Sequence, residues 1–472
     1  MERGARWTLL ITSIALFIVM LDNLVVMTAL PVIRVDLHAS LEELEWSVNA
    51  YTLTFAVLLL PGAALGDRFG RKRLFTIGLA IFTLASAGAA LSSSMATLIA
   101  ARGVQGVGGA ILTPLTLTLL SEAFPSGGRG LALGVWSGIS GIAVASGPLV
   151  GGAIVESISW QWIFWLNVPI GLAALPLALL RLRESFGAPQ RLDLRGLVLA
   201  SAGLFGIVWG MINGNAKGWT SLEILFALSA GAVLVVVFVL WELRAPAPML
   251  PMRFFRNRAF AAANVASFLM YFGMFGSIFL LAQFLQTAQG RSPFEAGIRL
   301  LPWTAVPLVV APIAGILGER MPKALMALGL ALQAIGLAWL AAVITPTVDY
   351  IQLVGPFIVS GAGMAMFFAP VLLVVLAAVQ RVEEGQASGA QAAIRELGGV
   401  FGVAVLATVF ASYGSYASAE SFSDGTVVAV WVGAVVVAVG ALACLAIPPL
   451  REREQRRTTA AHEVIALIKG ET

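Results

Sequence analysis

Two ionisable side chains stand inside long apolar runs of this chain, Asp22 and Arg102. A charge at the centre of a membrane-spanning helix costs roughly 2.5–3.5 kcal/mol on insertion scales, so such residues pair with one another or serve function. An acid in that setting can take and release a proton. Burial favours its neutral form and a nearby guanidinium its charged form, and movement changes both. Asp22 lies eight or nine residues before the end of the first run, about 12–13 Å down at 1.5 Å per residue. Arg102 lies about five residues after the start of the fourth, roughly 8 Å down. An arginine side chain covers the difference if these two runs touch. A static structural ion pair is the alternative. Gln105, Gly106 and Gly109 follow Arg102 at i+3, i+4 and i+7 and extend a small, polar face along the same helix.

A second group of residues could act as a hinge or gate. Gly66, Asp67, Arg68, Phe69, Gly70, Arg71, Lys72 and Arg73 link two apolar runs. The glycines allow a tight reversal. The four cations hold the turn on one side of a membrane. A weaker copy, Gly318, Glu319, Arg320, Met321, Pro322 and Lys323, links two later runs in the same order of glycine, acid, arginine and base. Internal repeats of this kind mark secondary transporters.

The elements that position these residues follow from composition. The chain has 472 residues, 59% hydrophobic and 11% charged, against about 45–50% and 25% in soluble domains. A soluble core could not cover so much apolar surface. The one cysteine, Cys444, excludes an internal disulfide, and His38 and His462 are too isolated to suggest a metal site. No Gly-rich loop of the Gly-x-x-x-x-Gly-Lys-Ser/Thr form is present, which argues against ATP hydrolysis by that route. The first apolar run is too long for a signal peptide.

A helix needs about 20 apolar residues to span the hydrocarbon core. That rule predicts fourteen spans, near 8–31, 46–65, 73–92, 97–120, 130–154, 162–181, 196–213, 221–241, 259–285, 297–317, 324–344, 350–378, 394–412 and 427–447. With the N-terminus inside, the outer loops hold only Arg34, Lys217, Arg291 and Arg299; apart from Arg102, every other Lys and Arg is on the inner side. That bias predicts both termini in the cytosol. The two Gly-acid-Arg turns join spans two and three and spans ten and eleven. The expected organisation is a six-helix bundle over 1–183, an inserted helix pair with flanking cytosolic segments over 184–258, a second six-helix bundle over 259–447 and a cytosolic tail over 448–472.

Span five is dense in small residues: Gly134, Gly138, Gly141, then Ser146, Gly147, Pro148, and Gly151, Gly152. Glycines at i and i+4 let helices approach closely, and Pro148 bends the helix. Ordinary helix packing is the alternative. Spans nine to fourteen are expected to hold no ionisable residue at depth, with Arg299 and the pair Arg395–Glu396 at span ends. Aromatic and amide groups stand there instead, and Gln105, Tyr271, Phe275, Trp303 and Phe367 are candidates to line a cavity, where rings attract cations.

These stretches resemble the major facilitator superfamily, and within it the fourteen-helix drug/proton antiporters, the quaternary-ammonium and multidrug exporters. Gly66–Arg73 is similar to that family's loop between helices two and three. Leu21 to Pro31 is similar to its helix-one motif and Arg102, Gly103, Val104, Gln105, Gly106 to its helix-four motif. Gly147, Pro148, Leu149, Val150, Gly151, Gly152 resembles the antiporter motif of helix five. Ala296–Pro302 and Gly385–Gly389 resemble the family's second half. The resemblance implies an all-α polytopic protein with two six-helix bundles rocking about a central site, driven by proton entry. It implies that Asp22 and Arg102 handle the proton. It also implies that Asp67 closes an inner gate by meeting a helix end and a cation across the bundle interface.

The function expected is proton-coupled export of small apolar or cationic organic compounds, from the plasma membrane, by a chain working as a monomer. Its partners are a small-molecule substrate, protons and the lipid bilayer; no nucleic acid, metal or cofactor is expected. An importer or metabolite permease on the same fold is the nearest rival, and the span-five motif argues against it. A transport-inactive receptor would lose its buried charges, whereas Asp22 and Arg102 are both present. An enzyme has the least support, since no nucleophile–base pair stands out.

Overall fold

The computed structural model describes residues 3–124, 129–187, 192–318, 320–380 and 383–448, and among them every regular element is a helix. The helices are α1 (Arg3–Asp36), α2 (Leu41–Phe69), α3 (Arg71–Ala90), α4 (Met95–Ala123), α5 (Arg129–Ser157), α6 (Trp162–Trp165), α7 (Asn167–Arg181), α8 (Leu194–Lys217), α9 (Leu222–Glu242), α10 (Arg258–Gln283), α11 (Pro293–Thr304), α12 (Val306–Gly318), α13 (Pro322–Val343), α14 (Tyr350–Ala377), α15 (Glu384–Tyr413) and α16 (Ala419–Leu445). Fourteen of the resulting segments are long and apolar enough to cross a membrane, because α6 with α7 and α11 with α12 each form one span. The chain is therefore a multi-pass membrane protein. Pro307 follows the break between α11 and α12, where its missing N–H ends the helical ladder.

The helices α1–α7 pack on one another, and α10–α16 do the same. The hairpin of α8 and α9 lies against α2 and α15 through α8, while α9 has few buried residues and faces outward. α10 is buried along nearly its whole length and is the axis of the later helices. One face of the molecule carries the Gly66–Arg73 turn and is called the basic face below; the opposite face holds the ends of α1, α3 and α5. Glu319, within the second Gly-acid-Arg turn, and residues 449–472, with their alternating charges, lie outside the described residues.

Two spans begin eight or more residues earlier than expected. α15 starts at Glu384 and α16 at Ala419, against expected starts of 394 and 427. The residues that open α15 are small or polar, Gly385, Gln386, Ser388, Gly389 and Gln391. They lower the mean hydropathy yet suit a helix that packs against other helices rather than lipid.

Orientation is open to a direct check. On a Cys444→Ser background, Phe186→Cys should resist an impermeant thiol reagent in intact cells, and Lys217→Cys should be labelled. The reverse pattern would turn the protein over in the membrane.

Candidate functional site

α4 lies against α2 because Gly106 leaves room: a Cβ there would overlap Tyr51 O and Thr54 Oγ1. Thr54 Oγ1 donates to Gly103 O at 3.0 Å and ties the two helices. That seam points Arg102 inward. Its Nε donates to Ser47 O at 3.2 Å and its guanidinium lies 4.3 Å from the centre of the Tyr51 ring. Its Nη1 pairs with Asp22 Oδ2 on α1 and donates to Gln105 Oε1 at 2.8 Å. The remaining oxygen, Asp22 Oδ1, accepts from Gln105 Nε2 at 2.8 Å and from Asn167 Nδ2 at 2.9 Å. Ser86 of α3 accepts from the same two amides, at 2.8 and 3.2 Å. Asp22 is 2% exposed and Arg102 1%. Five helices thus converge on one ion pair, whose carboxylate accepts three N–H donors. Gln105, expected near a cavity, is a member of this network instead.

Asn167, Ser86, Ser47 and Tyr51 are members that sequence reasoning missed. Asn167 carried a signal: it is the one amide between two apolar stretches, where α6 breaks and α7 begins.

The basic turn is built as a clasp. Gly70 adopts φ 105°, a conformation open to glycine, and α3 starts directly after it. Asp67 pairs with Arg71 at 2.7 Å, and Arg71 also pairs with Glu122 at the end of α4. Arg68 stacks on Phe69. The segment after α7 closes over the turn. Glu184 accepts from the backbone N–H of Lys72 at 2.9 Å and of Arg73 at 3.2 Å. Ser185 O accepts from Arg71 N at 2.9 Å and Asp67 O from Gly187 N at 3.0 Å. Glu184 is an acid at a helix N-terminus, where free N–H groups and the helix dipole favour it. The ionic partner of Asp67 is therefore inside its own turn, not across the helix groups.

Span five joins the two groups of helices. A Cβ on Gly147 would come within 2.7 Å of Leu24 Cβ, and one on Gly151 within 3.0 Å of Val25 O, so these two glycines face α1. On the neighbouring side, a Cβ on Gly152 would overlap Pro293 O, and a Cβ on Gly297 would overlap Pro148 O. The Gly-Pro motif thus packs backbone to backbone on α11. Further polar ties join the groups toward the same face. Glu156 accepts from Phe294 N at 3.0 Å, Gln286 Nε2 donates to Thr28 O at 2.8 Å, and Arg34 lies 3.7 Å over the Tyr416 ring.

The later helices do hold charge at depth. Arg395 is eleven residues past the start of α15, about 16 Å into the helix. It pairs with Glu396 at 3.1 Å, and its guanidinium lies 5.2 Å from the Tyr271 ring at the middle of α10. The expectation that this pair caps a span end is corrected: the polar opening of α15 made the span look ten residues shorter. Tyr271 stacks on Phe275 at 5.5 Å and meets Phe368 edge-on. Trp303 and Phe367 stand apart. Trp303 is fully enclosed and packs on Phe357, and Phe367 is buried in the same core.

The class defined by these features is a polytopic helical membrane protein with a polar centre inside the bilayer. A profile of the Major Facilitator Superfamily matches residues 12–241 and 263–470. The chain belongs to that superfamily and is one of its transporters. It is 37% identical over 414 residues to the tetracenomycin C resistance and export protein of Streptomyces glaucescens, covering 87% of this chain and 77% of that one. It is 36% identical over 454 residues to the cephamycin export protein of Amycolatopsis lactamdurans, covering 94% and 93%. Among solved structures, a bacterial homolog of the human lysosomal transporter Spinster superposes with TM-score 0.68 at 16% identity, over 95% of this chain and 98% of that one. That likeness concerns the fold.

Gly152→Leu should break the seam between α5 and α11. Overpacking typically costs about 1–3 kcal/mol, so the melting temperature in detergent should fall. Gly134→Leu, at a position with no neighbour near its Cβ, should leave it unchanged. Equal melting of the two variants would show that the seam contributes nothing.

Proposed function

We propose that this chain exports small apolar or cationic organic compounds across the plasma membrane in exchange for protons, by alternating access. The observation that carries the reading is the Asp22–Arg102 ion pair, buried among α1–α4 and α7. The tetracenomycin and cephamycin export proteins, similar over most of this chain, support the direction and the substrate class. On this reading the basic face is cytosolic, both termini are inside, and the opposite face is external. Residues 1–183 and 259–447 form two six-span bundles, with the pair in 184–258 inserted between them and 448–472 as a tail. The chain works as a monomer.

A proton bound at Asp22 cancels the charge that holds the Arg102 guanidinium. Arg102 then keeps Ser47 O, Gln105 and the Tyr51 and Phe164 rings, and the ionic tie between α1 and α4 is lost while the Gln105 hydrogen bond remains. Asn167 and Gln105 hold the acid in place whichever form it takes, because each presents an amide N–H that meets an oxygen of either form. Rocking of the bundles about the α5–α11 and α2–α15 seams exposes the pair to one side at a time. Between the bundles, Glu396, Arg395 and Tyr271 offer a carboxylate and a ring face to a cationic or aromatic compound. The Asp67–Arg71–Glu184 clasp keeps the cytosolic ends of α2, α3 and α4 moving as one body.

Asp22→Asn separates coupling from structure. The amide keeps the size and most hydrogen bonds, so the variant should insert at wild-type levels. It should lose pH-gradient-driven efflux from vesicles and substrate-induced proton release. Full proton-driven efflux by a well-inserted Asp22→Asn protein would remove Asp22 from the proton path.

A further inference from the structure

The external end of α2 hides an acid that the Asp22 network does not use. Glu45 is 2% exposed, makes no ion pair among the described residues, and its Oε2 has no hydrogen-bond partner. One turn deeper on the same face of α2, Asn49 is fully buried and neither its Oδ1 nor its Nδ2 has a partner. Two buried polar side chains, four residues apart, thus leave one carboxylate oxygen and a whole amide without partners. An isolated buried carboxylate is far too costly to persist, and in practice the group is neutral or paired. Beside α2, which packs on α15, lies the external contact between the bundles. Arg34 of α1 stacks on Tyr416, in the turn between α15 and α16, and the Tyr416 hydroxyl donates to Gln283 of α10. A cleft of about 530 Å³ opens between the end of α1 and the start of α11, and Arg34 lines it.

We propose that closing the external face takes up one proton at Glu45. When the bundles part on that side, Glu45 meets water and ionises. When Tyr416 and Arg34 close over it, the carboxylate takes a proton from the external medium, because among the described residues it forms no ion pair in the closed state. Arg34 stacks its guanidinium on the Tyr416 ring rather than pairing with the acid, and its Nε has no hydrogen-bond partner. Arg102 lies a turn deeper and is committed to Asp22. The other charged neighbour is Glu42 on α2 itself, whose charge opposes ionisation. The α10 side presents Gln283 and Gln286, which do not titrate. Tyr416 senses the same cluster: burial pushes its phenol well above the ordinary value, with Arg34 opposing and Glu45 and Glu42 adding to the shift. Closure therefore gains from low external pH and is opposed as pH rises. This rests on the external orientation of that face and adds a second acid to the exporter reading, distinct from Asp22 in place and in timing.

The test reads conformation rather than transport. Nitroxide labels at Leu91→Cys and Ile351→Cys, both strongly exposed at the external ends of the two bundles, report their separation by double electron–electron resonance in lipid nanodiscs, on a Cys444→Ser background. With Glu45 present, the ratio of long to short distances should rise with pH, by up to about tenfold per unit, the limit for one proton. Glu45→Gln, which mimics the protonated acid, should hold the short distance across the range. Asp22→Asn should retain the pH response, and failure of the exporter reading would appear separately, as a wild type that shows this response but no proton-driven efflux. A Glu45→Gln protein that opens with pH as the wild type does would overturn the proposal, as would a wild type with no pH response. If Glu45→Gln fails to insert, Glu45→Asp decides: its midpoint should shift from that of the wild type, and an unchanged midpoint overturns the proposal.

Discussion

A guanidinium sealed from water constrains every helix around it. Arg102 is closed in by α1, α2, α3, α4 and α7, and removing its partner would leave an uncompensated buried charge, at a cost of about 3–5 kcal/mol. The surrounding helices are arranged so that the charge is met. α1 supplies the carboxylate, α2 a carbonyl and a ring face, α3 a hydroxyl, and α4 and α7 the amides that fix the acid. Gly106 permits the close α2–α4 contact without which the guanidinium would not reach Ser47 O. Small residues and a polar centre are two parts of one design.

Lipid gives helices no hydrophobic reason to associate, so contact must come from close packing and hydrogen bonds. Span five shows how this serves movement. Its glycines lay backbone against α1 on one side and against α11 on the other. A seam of backbone contacts with few interlocking side chains can part and re-form with little repacking. The basic clasp does the opposite. Glu184 and Ser185 bind the start of α3, and Arg71 ties Asp67 to Glu122, so three helix ends are fixed to one strap. One face of the molecule is joined by backbone contacts and one corner by ion pairs and a strap.

Much of this was legible in the chain. Fourteen apolar runs, the depth match of Asp22 and Arg102, and the glycine spacing of span five follow from length, cost of buried charge and helical period. What escaped has a common physical cause. Hydropathy measures affinity for lipid, and helices that face other helices need none. The opening of α15 is small and polar because it packs on neighbours, so Arg395 and Glu396 looked terminal when they are deep. Glu45 fell one residue outside the expected second span for the same reason. The strap at Glu184 is more than a hundred residues from the turn it clasps, and no local pattern links them. Trp303 and Phe367 looked like cavity rings, but a ring's type does not say which way it faces.

The account stands on Asp22 carrying the proton and on Arg102 responding to it. Infrared difference spectra between acid and neutral pH, on protein reconstituted in lipid, read both at once. On a Glu45→Gln background, protein with Asp22 should show a protonated-carboxyl band together with a change in the guanidinium stretch. Adding Asp22→Asn should lose both together. A guanidinium change that persists with Asp22→Asn, or a carboxyl band that the substitution leaves intact on that background, would contradict the central claim.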